Sequence, residues 1–237
     1  MNLILLFQDD FKDRKRVCLQ GRRLEHVLNV HRASAGDKLC VGLLNGRIGI
    51  GTGTVTRLDN QMLEMDVAFD RDPPAPLELT LMLALPRPIV LKRVLLSISS
   101  MGVKRIFLIN SRRVEKSYWN SPALEEEKIR EQLVLGLEQA RDTVLPDVWL
   151  RPKFKPFVED ELPGLIKGTM PIVAHPDAIE PCPRHAGCAV TLAIGPEGGF
   201  IPYEVEMLEA CGFKAVHLGE RILRVETAVP VLLSRLF

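Results

Sequence analysis

Residues 189–237 constrain the fold more than any other stretch of the chain. The apolar run AVTLAI (189–194) leads into Gly195-Pro196-Glu197-Gly198-Gly199-Phe200, and a helical run departs from it. The run AVHLG (215–219) then leads into Glu220-Arg221-Ile222-Leu223-Arg224-Val225-Glu226-Thr227-Ala228. Apolar runs of strand length that end on glycine, where the backbone can approach closely or take a positive φ, predict strand-loop-helix junctions. Ile201-Pro202-Tyr203-Glu204 is a good helix opening, with proline in the first turn and an acid near the positive end of the dipole. Two such junctions side by side open on one edge of a sheet, where open α/β sheets bind ligands.

The preceding residues extend this pattern. Leu77–Leu85 reads as a buried strand, Pro86-Arg87-Pro88 as a turn, and Ile89–Met101 as a helix ended by Gly102. A strand at Val103–Ile109, the loop Ser111-Arg112-Arg113, a long helix from about Ser121 to Asp142 and a strand at Asp147–Leu150 follow. A short helix near Val158–Ile166 and a strand at Met170–Ala174 complete the series, which predicts a mainly parallel α/β sheet. Arg71-Asp72-Pro73-Pro74-Ala75-Pro76 reads as an extended linker, so residues 1–70 and 77–237 are expected to be separate domains joined by 71–76. At 237 residues and 46% apolar content, the chain can fill the cores of two modest domains.

The first segment reads as small antiparallel β structure, barrel-like in character. Leu3–Gln8, Lys15–Leu19, Lys38–Leu44 and Gln61–Ala68 are strand-like, Arg22–His31 has helical spacing, and Asn45-Gly46 signals a two-residue hairpin before Ile48–Ile50. Gly51-Thr52-Gly53-Thr54 resembles the start of a dinucleotide fingerprint but lies in a hairpin arm with no helix after it, so it reads as strand. Lys and Arg exceed Asp and Glu by only one (31 against 30), so any attraction to nucleic acid must come from clustering. Lys12, Arg14, Lys15, Arg16, Arg22, Arg23 and Arg32 form such a cluster, either an RNA-docking surface or a solvated face.

Five scattered cysteines argue against a disulfide framework and for a reducing compartment. Cys182 and Cys188, with His185 between them, lack the short spacing and second half-site of a zinc centre, so no metal is expected. The apolar start Leu3–Phe7 is cut short by Asp9 and Asp10 and is too brief for a signal core or a membrane span. A soluble, cytoplasmic protein is the expectation.

Gly195–Gly199 lacks the Lys-Ser/Thr of a P-loop and the G-x-G-x-x-G order of a dinucleotide turn, which excludes the two commonest phosphate loops but not a neutral adenosine moiety. GPEGGF followed by a helix, and then LGERILRVETA, together span residues 195–228. They resemble the two C-terminal motifs of SPOUT-class methyltransferases, specifically the bacterial 16S ribosomal RNA uridine-N3 methyltransferases. The family writes these motifs GPEGG and LG-x-R-I/V-L-R-x-E-T-A/T. Glu138-Gln139-Ala140-Arg141 with Pro146 is similar to the family's E-Q-x-R...P element, Gly102-Val103 to its helix-ending G-V, and Arg113 to an arginine in the loop after the next strand. His26-Val27-Leu28-Asn29-Val30-His31-Arg32 with Gly36-Asp37 is similar to its H-x-x-x-V-L-R...G-D segment, with His31 in place of leucine. The family's K-A-x-E-L-G-V pattern before Gly102 is replaced by Leu95-Leu96-Ser97-Ile98-Ser99-Ser100-Met101, which removes a Lys and a Glu.

The resemblance implies a PUA-like RNA-binding β domain (1–70) followed by a SPOUT α/β domain (77–237) with a C-terminal trefoil knot. It also implies a homodimer with the active site at the interface. S-adenosylmethionine would be the methyl donor, held by Ala174, Gly195, Glu197, Gly198, Leu218, Gly219, Ile222, Leu223 and Thr227. Arg224 would orient the target base or its phosphate, and Glu226 would fix Arg224 or cap the last helix. Lys15, Arg16, Arg22, Arg23, Arg32 and Arg113 would contact 16S rRNA or the small subunit. No side chain is assigned as the base for the N3 proton. Two alternatives stay open at this point: a SPOUT enzyme acting on a tRNA ribose 2'-hydroxyl, and a non-catalytic dimeric RNA-binding protein.

Overall fold

A computed structural model describes residues 2–237. The chain divides into two compact units: one holds the residues up to Ala75 together with Val134–Leu145, the other Pro76–Leu133 and Pro146–Phe237.

The first unit is a five-stranded curled sheet that fits a barrel-like domain. Its strands are β1 (Ile4–Leu6), β2 (Arg16–Leu19), β3 (Lys38–Leu43), β4 (Ile50–Leu58) and β5 (Leu63–Arg71), in the order β1-β3-β4-β5-β2. Alternate residues of these strands point inward, and Val17, Leu19, Leu39, Val41, Val55, Leu63, Met65 and Val67 form the core with Leu24 and Val27. All pairs are antiparallel except β1 with β3, which is parallel. The chain passes through β2 and the short helix α1 (Arg22–His26) between those two strands, and so long a connection permits a parallel return. Helical spacing from Arg22 to His31 is realised as α1 followed by a wider turn over Val27–His31.

Asn45 takes the positive φ expected of it (56°), yet the connection it belongs to runs from residue 44 to 49 rather than closing over two residues. Its backbone N–H donates to the Thr143 carbonyl (2.7 Å) and its Oδ1 accepts from the Leu145 N–H (2.9 Å). A tight turn does form there, closed by the Gly46 N–H on the Leu43 carbonyl (3.0 Å), but it is centred on Leu44 and Asn45 and the second strand starts only at Ile50. Val134 and Leu137 pack with Leu3, Leu5 and Ile50, and the Glu138 carbonyl accepts from Asn2 and Leu3 (3.0 Å each). The element Glu138-Gln139-Ala140-Arg141 thus serves the first unit, with Glu138 1% exposed and its carboxylate bidentate to Arg22 (2.8 and 3.0 Å).

The second unit contains a seven-stranded, all-parallel sheet. Its strands are β6 (Leu79–Ala84), β7 (Arg105–Ile109), β8 (Asp147–Arg151), β9 (Met170–Ala174), β10 (Glu180–Pro181), β11 (Val190–Ile194) and β12 (Lys214–His217), in the order β10-β12-β9-β11-β6-β7-β8. The central strands β6 and β11 are buried along their whole length, as continuous apolar runs in a doubly covered sheet must be. Helix α2 (Pro88–Ser100) buries Val90, Leu91, Val94, Leu95 and Ile98, a 3.6-residue stripe. Its departure from the family pattern is satisfied internally: Ser99 is fully buried and donates to the Leu133 carbonyl (2.7 Å), and Ser100 donates to the Ser97 carbonyl (2.7 Å).

Helix α3 (Glu126–Ala140) starts later than Ser121, because Ser121 accepts the Ala123 N–H (3.2 Å) and opens a 3-10 turn at Pro122–Leu124 instead. Short helices α4 (Phe154–Pro156) and α5 (Leu162–Leu165) flank a wider turn before β9. Helix α6 (Pro202–Ala210) joins β11 to β12, and α7 (Val225–Leu236) packs on α2. The segment after β10 caps α7: His185 and Ala186 donate their N–H groups to the carbonyls of Arg235 and Leu236 (2.9 and 2.8 Å).

Candidate cofactor site

Because the sheet is parallel, the loops leaving β6, β7, β9, β11 and β12 all emerge at the carboxyl edge. The loop after β11 lies between the others. It closes on itself, with the Gly199 N–H donating to the Pro196 carbonyl (2.7 Å), so tightly that a Cβ on Gly195 would stand 2.9 Å from the Phe200 nitrogen. Neighbouring loops hold it from three sides. Glu197 accepts the Arg87 N–H (3.0 Å) after β6, Arg113 after β7 donates to the Gly198 carbonyl, and His175 after β9 places Nε2 3.4 Å from the Phe200 carbonyl.

A cleft of about 250 Å³ opens beside this loop. Of the residues expected to hold a cofactor, Ala174, Gly195, Glu197, Leu218, Gly219, Ile222 and Leu223 line it, together with Arg224. Gly198 and Thr227 are absent from its lining; Gly198 faces the aliphatic part of Arg113, and Thr227 donates its N–H to the Arg224 carbonyl (2.9 Å) in the first turn of α7. Gly219 is at φ 120°, a conformation that a side chain rarely adopts, and the chain there turns from β12 along the cleft. Ile194, Val216, Leu218, Ile222 and Leu223 give the cleft apolar walls, which suit a flat aromatic heterocycle, while backbone groups of the two glycine loops supply polar edges.

Three basic or titratable side chains in the cleft were not expected from the sequence: His175, His217 and Arg221. The Asp177 N–H donates to His175 Nδ1 (3.2 Å), and the Gly219 N–H donates to His217 Nδ1 (3.0 Å). In a neutral ring each of these bonds assigns the proton to Nε2. His217 ends β12 and His175 directly follows β9; these strands pair in register. Carboxyl ends of adjacent parallel strands were therefore the available signal. Arg221 and Arg224 have no ion-pair partner among the described residues, so two guanidinium groups are free at one cleft. Glu226 lies outside the lining, in the first turn of α7 where the helix dipole favours an acid, and no ion pair joins it to Arg224 among the described residues.

The expected RNA contacts separate in the first unit. Lys15 and Arg16 line an open groove of about 880 Å³ with Arg14, Lys38, Thr52, Thr54 and Asp66. Lys38, Thr54, Asp66 and Arg16 lie in one row across β3, β4, β5 and β2. Asp13 binds the Lys15 and Arg16 N–H groups (2.9 Å each), which hold its carboxyl below the usual range. Arg23, by contrast, is bidentate to Asp10 (2.6 and 2.7 Å), donates to the Leu5 carbonyl and stacks over Phe7; its side chain is 15% exposed, and it braces the fold. Arg22 is committed to Glu138, and Arg32 is exposed at a positive φ. Burial pushes the nearby His26 ring below its ordinary pKa, with His31 5.1 Å away adding to the effect. Cys182 is buried, which raises its thiol pKa, whereas Cys188 is exposed. No helix among the described residues is long and apolar enough to cross a membrane.

A parallel α/β sheet with a cleft between glycine-bearing loops at its carboxyl edge defines the class, and the model of the RNA methyltransferase domain family matches residues 73–237: the chain belongs to that family. Over 96% of its length it is 30% identical to the ribosomal RNA small subunit methyltransferase E of Treponema pallidum, covering 87% of that protein. It is 26% identical to ribosomal RNA small subunit methyltransferase E 1 of Borreliella burgdorferi, over 96% of this chain and 94% of that one. The fold is shared with the ribosomal RNA small subunit methyltransferase E of Neisseria gonorrhoeae, solved with S-adenosyl methionine bound. The TM-score is 0.77 at 22% identity, over 99% of this chain and 95% of that one.

Proposed function

We propose that the protein is an S-adenosylmethionine-dependent methyltransferase that acts on N3 of a uridine in 16S ribosomal RNA, in the cytoplasm and as a homodimer. One observation carries this reading: the two motifs of residues 195–228 meet at one cleft, in a chain whose relatives are named ribosomal RNA small subunit methyltransferase E. The Neisseria gonorrhoeae protein of the same fold binds S-adenosyl methionine, which supports the cofactor assignment. In this reading Ala174, Gly195, Glu197, Leu218, Gly219, Ile222 and Leu223 hold the donor. Gly198 offers its carbonyl to Arg113, and Thr227 closes the first turn of α7 on the Arg224 carbonyl.

When bound, the donor supplies an electrophilic methyl group on a sulfonium. The chain's own task is to hold the uracil N3 in line with it and to stabilise the charge left when the N3–H proton departs. Arg224, at the cleft and without an ion-pair partner among the described residues, is assigned to that charge, and Arg221, in the same lining, to an RNA phosphate. Glu226 stabilises α7, whose first residue follows Arg224. Support for a trefoil knot lies in the sheet order, with β11 between β9 and β6 and β12 outside β9, and in the capping of α7 by residues 185–186. Support for the dimer lies in exposed Ile89 and Val231 on the mutually packed α2 and α7.

The first unit is assigned to RNA docking as a PUA-like domain, through Arg14, Lys15, Arg16 and Lys38 of the groove and through Arg32; in the second unit, Arg113 is a further candidate contact. Exchange of Lys15 and Arg16 for glutamate is expected to weaken 16S RNA binding and to lower the slope of log affinity against log salt by about two, roughly one for each phosphate no longer neutralised. S-adenosylmethionine affinity stays at the parental value. Filter binding across a salt series, beside calorimetry for the cofactor, checks both. Unchanged RNA affinity at low salt would mean that the groove does not dock RNA.

A further inference from the structure

A buried carboxylate joins two of the loops that shape the cleft. Glu204, in the first turn of α6, is 3% exposed and divides its oxygens between two partners. Oε2 accepts the Ile201 N–H (3.0 Å), the local bond that closes the start of α6. Oε1 accepts the Arg112 N–H (2.7 Å), which belongs to the loop after β7. The next residue of that loop, Arg113, places its guanidinium on the Gly198 carbonyl. The loop after β7 and the loop after β11 are thereby tied twice, once through a carboxylate and once through a guanidinium.

Local capping requires only one of the Glu204 oxygens. A buried carboxylate is expensive unless all its acceptor capacity is used, and serine or threonine at the position of Ile201 would cap the helix without that cost. The bond to Arg112 is what the full carboxylate adds. We propose that Glu204 is a positioning residue for methyl transfer: it sets the Ser111–Arg113 loop in register with the Gly195–Phe200 loop, so that the cofactor-facing backbone and Arg113 are held as one unit. This rests on reading the cleft as the methyl-donor site. Glu204 touches neither ligand and acts through the two loops.

The test uses the full-length protein. E204Q keeps the volume but leaves one acceptor oxygen for two backbone donors, so the side chain can no longer serve Ile201 and Arg112 together. Calorimetry with S-adenosylmethionine and steady-state methylation of 16S RNA are measured for the parent, E204Q, R113A and the double variant. E204Q is expected to weaken the cofactor about tenfold and to raise KM for RNA more than it lowers kcat. The double variant should fall short of the product of the single effects, because both side chains secure the same pair of loops. R112P, which removes the Arg112 N–H while leaving Glu204 and its cap in place, should weaken the cofactor to the same extent. Parental cofactor affinity and KM in both E204Q and R112P, or in R112P if E204Q does not fold, overturns the proposal alone. Absence of cofactor binding by the parent overturns the reading of the cleft, and the proposal with it.

Discussion

Gly195→Val is expected to weaken cofactor binding by about two orders of magnitude while the strands on either side still fold. A Cβ at this position would lie 2.9 Å from the Phe200 nitrogen and 3.2 Å from the Gly199 Cα and carbonyl carbon. These are backbone atoms of the same loop, so nothing flexible can give way, and the Gly195–Phe200 loop must open. Phe200, 1% exposed, is displaced with it, and Glu204 loses the geometry of its bond to Ile201. The loop's own backbone already fills the space that a side chain would need. Overpacking of this kind costs roughly 1–3 kcal/mol, or about 5- to 150-fold in affinity where binding must close the loop again, with valine at the upper end and alanine below it. Calorimetry with S-adenosylmethionine on folded protein measures the loss, and parental affinity in the valine variant would show that the loop is not the cofactor wall.

Arg224→Ala should leave the fold and cofactor affinity near parental and reduce turnover by about two to three orders of magnitude, the usual effect of removing one group that stabilises developing negative charge. The side chain makes no capping bond at the start of α7, where the backbone carbonyl of Arg224 accepts from Thr227 and Ala228 (2.9 and 2.7 Å), so alanine costs the helix little. Single-turnover rates at saturating cofactor and RNA isolate the effect from binding. Lysine restores charge without the planar fork and should recover only part of the rate. Parental single-turnover rates would assign Arg224 to RNA binding or to nothing, and Arg221 would become the better candidate for the charge.

Local signals carried much of the second unit. Strands β9 and β11 coincide with apolar runs bounded by glycine or proline, and α2 ends where Gly102 takes φ 85°. The two-residue strand β10 was invisible, because its only pairing, to β12, depends on an edge that exists after the sheet has formed. The same limit hid His175 and His217, which share the cleft because β9 and β12 are neighbours in space. Glu204 read as an ordinary first-turn acid, and its partner Arg112 is 92 residues away, beyond any periodicity. In the first unit, charge alone could not separate Lys15 and Arg16, which face an open groove, from Arg23, which is spent on Asp10 and Phe7. The element Glu138–Arg141 resembled a family motif without indicating that Glu138 bonds to the backbone of Asn2 and Leu3 and to the guanidinium of Arg22.

The most direct test of the central claim is nucleoside mass spectrometry of 16S RNA from cells lacking this gene, compared with the same cells carrying the intact gene or its Arg224→Ala form. One N3-methyluridine is expected to disappear on deletion, to return with the intact gene and to stay absent or nearly so with the variant. An unchanged 16S profile accompanied by loss of a tRNA 2'-O-methyl nucleoside would contradict the assignment.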